Sequence, residues 1–187
     1  RPLRKGLWWQ SHPYSLSAAP TIDQLRFTIK DRGEASHLMN NLKVGTRVIV
    51  EGPFGVVTPE VLQGSKALFV VGGVGVAPVL AMVQRLGPDH EPVVLYRAHS
   101  EKDLLHFAEL KTAVERLGGK VLTLTGPTAK LAVRDPFSAK VLTAAIPDIA
   151  KRAVVMCGPD RLLTAARSGL KAAGVPTNRI HSEHVWW

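Results

Sequence analysis

Residues 68–80 carry the strongest chemical signal in this chain of 187 residues. Leu68-Phe69-Val70-Val71 has the unbroken apolar character of a buried parallel strand and runs straight into Gly72-Gly73-Val74-Gly75-Val76-Ala77-Pro78. Val79, Leu80, Met82, Val83 and Leu86 follow at helical spacing. Strand, glycine turn and helix in that order suit a diphosphate. The turn lets bare backbone approach the ligand, and the helix start offers unpaired N–H groups and the positive end of its dipole. The pattern departs from the usual dinucleotide fingerprint, because Pro78 stands where a third glycine is expected. Proline is well placed in the first turn of a helix, where its missing N–H costs nothing. Taken alone, the glycines also fit a plain tight turn between strand and helix.

Other residues with chemistry to offer lie at strand ends and turns. Arg97 follows Tyr96 at the end of a second apolar run, where an arginine favours a ribose 2′-phosphate over a 2′-hydroxyl. An ordinary solvated arginine fits the same place. Cys157-Gly158-Pro159 follows Val154-Val155-Met156. A small polarisable side chain beside a glycine could pack on a planar ring, or be a plain core residue. In His12-Pro13-Tyr14-Ser15 the histidine could donate to a phosphate, the tyrosine could stack and the serine could bond a ring nitrogen. Gly33-x-x-Ser36 at a helix start is a second possible phosphate cradle. His181, Glu183 and His184 near the carboxyl terminus lack the spacing of a zinc helix, so no metal is expected. Trp186 and Trp187 are expected to pack on something, since exposed indoles are costly.

These residues need elements to hold them. Alternation predicts half-buried strands over Leu25–Lys30 and Thr46–Glu51, with a short helix over 33–42 between them. After Gln63-Gly64-Ser65 the rhythm becomes alternating strand and helix. Strands are predicted at Ala67–Val71, Pro92–Tyr96, Lys120–Leu124 and Arg152–Met156. Helices are predicted at Val79–Leu86, Asp103–Leu117, Ala139–Ala145 and Arg161–Ala173. The fold class is therefore α/β plus β, with a β-rich domain over 1–62 and a parallel-sheet nucleotide-binding domain over 63–187, the boundary falling near Thr58–Ser65. A composition that is 45% hydrophobic can fill a core, and no apolar run is long enough to span a bilayer. Cys157 is the single cysteine, which excludes an internal disulfide. The net charge of +9 is scattered. That suits anionic cofactors, an acidic partner or an anionic membrane face, and gives no support to nucleic acid.

In order, His12–Ser15, Gly33-x-x-Ser36, Gly72–Pro78, Cys157–Pro159 and Glu183 with its following aromatics resemble the ferredoxin–NADP reductase superfamily over nearly the whole chain. The likeness is closest to bacterial ferric-reductase-like and NADPH-oxidase-like dehydrogenase domains. It implies that 1–62 is part of an antiparallel flavin-binding β-barrel whose earlier strands precede Arg1. It also implies two cofactors, FAD and NADP, with NADPH preferred over NADH. His12, Pro13, Tyr14, Ser15, Lys30, Gly33, Ala35, Ser36 and Trp187 would hold FAD. Gly73, Gly75, Pro78, Arg97, Cys157, Gly158 and Pro159 would hold the nicotinamide coenzyme. Ser15, Cys157 and Glu183 would stand where the two rings meet, with a terminal tryptophan gating the flavin face. In this family an aromatic usually stands two positions after the glutamate, and here that position is Val185.

The activity implied is hydride transfer from NAD(P)H to FAD, with electrons passed to a haem in a membrane domain or to another acceptor outside these residues. The expected location is then cytoplasmic, at the inner face of a membrane. Two alternatives stand beside it. One is a soluble reductase feeding a ferredoxin or an oxygenase, and the other is a non-catalytic nucleotide-binding interaction module.

Overall fold

The computed structural model describes residues 2, 11–31, 33–55, 57–131 and 133–184. Five parallel strands form one sheet: β1 (Ala67–Gly72), β2 (Val93–Ala98), β3 (Lys120–Thr125), β4 (Ala153–Gly158) and β5 (Ile180–His184). Their spatial order is β3-β2-β1-β4-β5. The chain steps outward from β1 to β3, then crosses back to lay β4 on the other side of β1. That reversal opens a crevice beyond the carboxyl ends of β1 and β4.

Both central strands are buried along their whole length, which is why they read as continuous apolar runs rather than alternating ones. The pleat sorts β1 between two cores. Phe69 and Val71 pack with α2 (Val76–Val83) and α3 (Phe107–Glu115), through Val79, Leu80, Leu110 and Val114. Leu68 and Val70 pack with α4 (Ala139–Ala145) and α5 (Asp160–Ala172), through Leu142, Leu163, Ala166 and Leu170. Each fully buried side chain of this kind contributes roughly 1.5–3 kcal/mol, so the two-sided core is what holds the crevice rigid. At the opposite end of the sheet the buried Arg152 guanidinium donates to the carbonyls of Ala67 (2.9 Å) and Glu91 (2.7 Å) and to Asp148 Oδ1 (2.9 Å). It ties the starts of β1, β2 and β4 together.

Several elements differ from the sequence expectation. The second helix begins at Val76 rather than Val79, so Pro78 lies inside its first turn. The expected helix over 103–117 is divided. A 3-10 turn (Glu101–Asp103) precedes α3, and His106 between them adopts a left-handed φ of 52°. The Tyr96 hydroxyl donates to the Leu105 carbonyl (3.1 Å) and pins this connection.

The amino-terminal half departs most. Within 11–55 the short helix α1 (Glu34–Asn40) is present, but among the described residues the strands expected at 25–30 and 46–51 are single antiparallel bridges, Leu16↔Phe27 and Pro2↔Val48. The first closes a hairpin, with Ser17 N–H on the Arg26 carbonyl (2.8 Å) and Thr21 N–H on that of Gln24 (3.0 Å). Alternation specifies faces, but a ladder also needs a partner strand along its edge. At 46–51 the bridge described is that of Val48 with Pro2, and Val48, Ile49 and Val50 are exposed.

Candidate functional site

The glycine turn after β1 meets β4 at the carboxyl end of the sheet. Gly73–Gly75 forms one 3-10 turn leading into α2. Its two outer glycines serve different physical needs. Gly73 has a φ of 56°, a shape that L-residues avoid, and open space where a side chain would stand. Gly75 has an ordinary helical φ of −59°. A methyl group there would stand 2.2 Å from the Cys157 carbonyl oxygen and 2.9 Å from the Gly158 nitrogen. Gly75 is small so that the turn can lie on β4. Its closeness to β4 is a packing requirement that the sequence pattern did not show.

Cys157-Gly158 completes the junction. A methyl at Gly158 would stand 3.1 Å from the Gly72 nitrogen, and one at Gly72 would stand 2.6 Å from a Leu162 methyl and 3.2 Å from Pro159 Cδ. Gly72, Gly158, Pro159 and Leu162 thus press the ends of β1 and β4 together. Cys157 is buried and Pro159 is exposed at the rim. Glu183 sits directly across from Cys157 in the β4–β5 register. Its carboxylate extends toward the turn at Gly55, where an added methyl would lie 3.9 Å from Oε1. Burial raises the pKa of Glu183. Burial first, and the Glu183 charge second, push the Cys157 thiol up to about 12. The thiol is therefore a neutral packing group at physiological pH, not a nucleophile.

Arg97 stands beside Gly72 in the β1–β2 register. Its guanidinium is spent on backbone: it donates to the carbonyls of Ala98, Leu124 (2.9 Å) and Gly126 (2.6 Å), with Thr128 Oγ1 at 3.4 Å. The sequence offered it as a solvated or phosphate-binding group. In the structure it clamps the loop that follows β3.

The amino-terminal motifs show local order. The His12 and Tyr14 rings lie 6.4 Å apart and tilted, and burial raises the pKa of the half-buried Tyr14. Ser15 and Lys30 are exposed. At the start of α1, Ser36 Oγ accepts from Gly33 N–H (3.0 Å) and lies 2.9 Å from the Gly33 carbonyl. Asp31 stands at the same turn, 3.5 Å from Ser36 Oγ. A hydrogen bond from His37 holds its carboxyl below the ordinary range. Glu34 and Ala35 open the helix, so their N–H groups have no carbonyl within it. Val185, Trp186 and Trp187, with the proposed gating role, lie outside the described residues. Among the described residues no three His, Cys, Asp or Glu side chains gather as a metal site would require.

Sequence reasoning missed the polar contacts between the 16–28 hairpin and the helices. Arg26, Gln84, His106 and Glu109 meet from positions 65 to 83 residues apart, or 25 within the helical layer, with no local motif to announce them.

A doubly wound parallel sheet with a glycine turn and a cysteine strand end at its switch point defines a nucleotide-binding oxidoreductase domain, and the comparisons agree. Residues 69–168 match the oxidoreductase NAD-binding domain family. The chain belongs to that family, within the ferredoxin–NADP reductase superfamily. It is 28% identical over 182 residues to the glycine betaine monooxygenase reductase subunit of Pseudomonas aeruginosa, covering 91% of this chain and 50% of the relative. It is 32% identical over 176 residues to the 3-ketosteroid-9-alpha-monooxygenase ferredoxin reductase component of Mycolicibacterium smegmatis, covering 91% of this chain and 49% of the relative. Among solved structures it shares its fold with the flavohemoglobin from Malassezia yamatoensis with bound FAD and heme. The TM-score is 0.68 at 24% identity, over 92% of this chain and 47% of that one. The chain spans about half the length of the curated relatives it matches.

Proposed function

We propose that this chain is the electron-input part of a flavin-dependent reductase, taking hydride from NAD(P)H onto FAD for a separate acceptor. When bound, the nicotinamide supplies the hydride and the flavin accepts it and passes electrons on. The observation that carries this reading is the end of β1 and β4. There the open, left-handed Gly73 lies in the same turn as Gly75, which rests on Cys157, and Cys157 is registered with Glu183. Such a place suits a coenzyme diphosphate on backbone N–H groups of the turn, with Pro78 in the first turn of the helix.

Each remaining part of the chain has a task. Gly73 and Gly75 cradle the diphosphate and Gly158 and Pro159 wall the crevice. Cys157 presents a neutral, polarisable surface and Glu183 a carboxylate where the reacting rings meet. His12, Pro13, Tyr14 and Ser15 line the flavin, with Lys30, Gly33, Ala35 and Ser36 toward its diphosphate and Trp187 over its face. Two domains divide this work, 1–62 for the flavin and 63–187 for the coenzyme. Support for a flavin barrel over the first of them comes from its exposed apolar residues. Ile22, Leu25, Val44, Val48, Val50 and Phe54 are all exposed, an apolar surface of the kind that packs against further structure.

The relatives' names favour an acceptor of the oxygenase kind, reached as a reductase component, over a ferric-reductase or NADPH-oxidase arrangement with a haem-bearing membrane domain. Among the described residues no helix is long and apolar enough to cross a membrane. The decisive test is the absorption spectrum of the purified protein loaded with FAD. Anaerobic NADH or NADPH should bleach the flavin band within seconds. A flavin that binds but stays oxidised with both coenzymes would leave only the nucleotide-binding interaction module.

Coenzyme preference follows from Arg97. Its terminal nitrogens already donate to three carbonyls, and bonds from charged donors are worth roughly 1.5–3 kcal/mol each, so turning those donors to a 2′-phosphate would forfeit them. Arg97→Ala is therefore expected to loosen the loop after β3 and to weaken NADPH and NADH by similar factors, measured by calorimetry. A loss of about tenfold or more confined to NADPH would return the 2′-phosphate role to Arg97.

A further inference from the structure

We propose that Glu109 is a positioning residue, the hub of a staple that holds hairpin 16–28 on the helices and so sets His12–Ser15 relative to the Gly73–Gly75 turn. The inference rests on the flavin and coenzyme reading above. Glu109 Oε1 accepts from Arg26 Nη2 (3.0 Å) and from Gln84 Nε2 (2.7 Å). Gln84 Oε1 in turn accepts from the Ala19 N–H (2.7 Å). Next to them, His106 Nε2 lies 2.7 Å from Thr28 Oγ1, and its Nδ1 lies 3.8 Å from Glu109 Oε2. Arg26 is held from behind by the Ser17 hydroxyl (3.3 Å) and carbonyl, and Ser17 is fully buried.

The placement of these groups gives the staple its meaning. Ser17 and Ala19 follow directly on His12–Ser15, whereas Gln84 caps the end of the helix that the glycine turn begins. Glu109 lies in the first turn of α3, where the helix dipole also favours its charge. Burial alone would raise its pKa, but the bonds from Arg26 and Gln84 outweigh that and hold it below the ordinary carboxylate range. His106 keeps a left-handed φ of 52°, a conformation sustained only where the surroundings over-determine it. A half-exposed ion pair contributes little to stability. Two donors converging on one carboxylate oxygen, Arg26 from the hairpin and Gln84 from the end of α2, contribute geometry instead. Hydride transfer is sensitive to geometry, since a misplacement of about 1 Å can cost about a hundredfold in rate.

The test uses the FAD-loaded protein and reads hydrogen exchange beside kinetics. In Glu109→Ala the amides of 16–28 should exchange about tenfold faster or more. Flavin reduction at saturating coenzyme should slow by about tenfold or more, with the coenzyme dissociation constant held within about twofold. Glu109→Gln keeps the accepting oxygen and should restore most of the rate. Gln84→Ala, which frees Ala19 and removes one donor from Glu109, should move exchange and rate in the same direction and serves if Glu109→Ala does not fold. A hairpin that exchanges as in the parent, or a loosened hairpin with an unchanged rate, overturns the proposal. If the parent flavin itself is not reduced by either coenzyme, the functional reading has failed and this inference with it. If the parent is reduced and both variants match it, this inference alone has failed.

Discussion

Gly75→Val is expected to break the fold of the sheet's carboxyl end, not merely to weaken coenzyme binding. An added Cβ would stand 2.2 Å from the Cys157 carbonyl oxygen and 2.5 Å from its carbon. Both are backbone atoms of a fully buried central strand, so no rotamer change can relieve the contact. Overpacking a core with a flexible neighbour typically costs about 1–3 kcal/mol, and a clash with fixed backbone belongs in the rare class above about 4 kcal/mol. The helix after the turn would have to leave β4, and with it Val76, Val79 and Leu80 would leave the core. Urea denaturation should show the loss as a large fall in midpoint. Gly73→Ala provides the contrast. Its methyl enters open space, and the left-handed φ of 56° costs roughly 1–2 kcal/mol. That variant should stay folded and lose coenzyme affinity by about tenfold or more. Equal unfolding of both variants would show that the two glycines do the same work.

This contrast marks where the sequence stops being informative. Gly73 and Gly75 look alike in a string of letters. What separates them is the approach of β4, brought alongside only after three crossovers. The strands themselves were legible, because Leu68–Val71 and Val154–Met156 are apolar on both faces and bounded by turn residues. The ends of those strands were legible too, since a parallel sheet with crossover helices gathers its ligand-facing residues at the carboxyl edge. Register was not. The family resemblance put Cys157 and Glu183 in one place, but that they stand directly opposite each other follows from how β5 docks on β4. Arg97 fails as a local reading for the same reason, because its partners are carbonyls of β3 and the loop beyond. The alternation at 25–30 and 46–51 corresponds, among the described residues, to single bridges at Phe27 and Val48, since pairing depends on what lies beside the segment. Glu109 had no local signal at all.

Glu183→Gln should make the protein more stable at neutral pH and slower in the proposed hydride transfer. Burial raises the folded pKa of Glu183 above its value in the unfolded chain, which is about 4.3. Between those two values the folded state holds the proton more tightly than the unfolded state does. The fold gains from this group below about pH 4.3 and loses that gain as pH climbs through the raised folded pKa. Glutamine, neutral and nearly the same shape, carries no such dependence. Denaturation midpoints of parent and variant should coincide in acid and separate above it, with the variant ahead. The Cys157 thiol should titrate lower once the charge across from it is gone. It should stay above the ordinary thiol range, because burial is the larger cause of its shift. On the kinetic side, a buried carboxyl whose ionisation costs stability is the kind of group that a functional site retains. Flavin reduction in the variant should therefore slow by about tenfold or more, roughly 1.4 kcal/mol of barrier. A variant that gained stability and kept its rate would show that Glu183 is carried for neither purpose, and would remove it from the site.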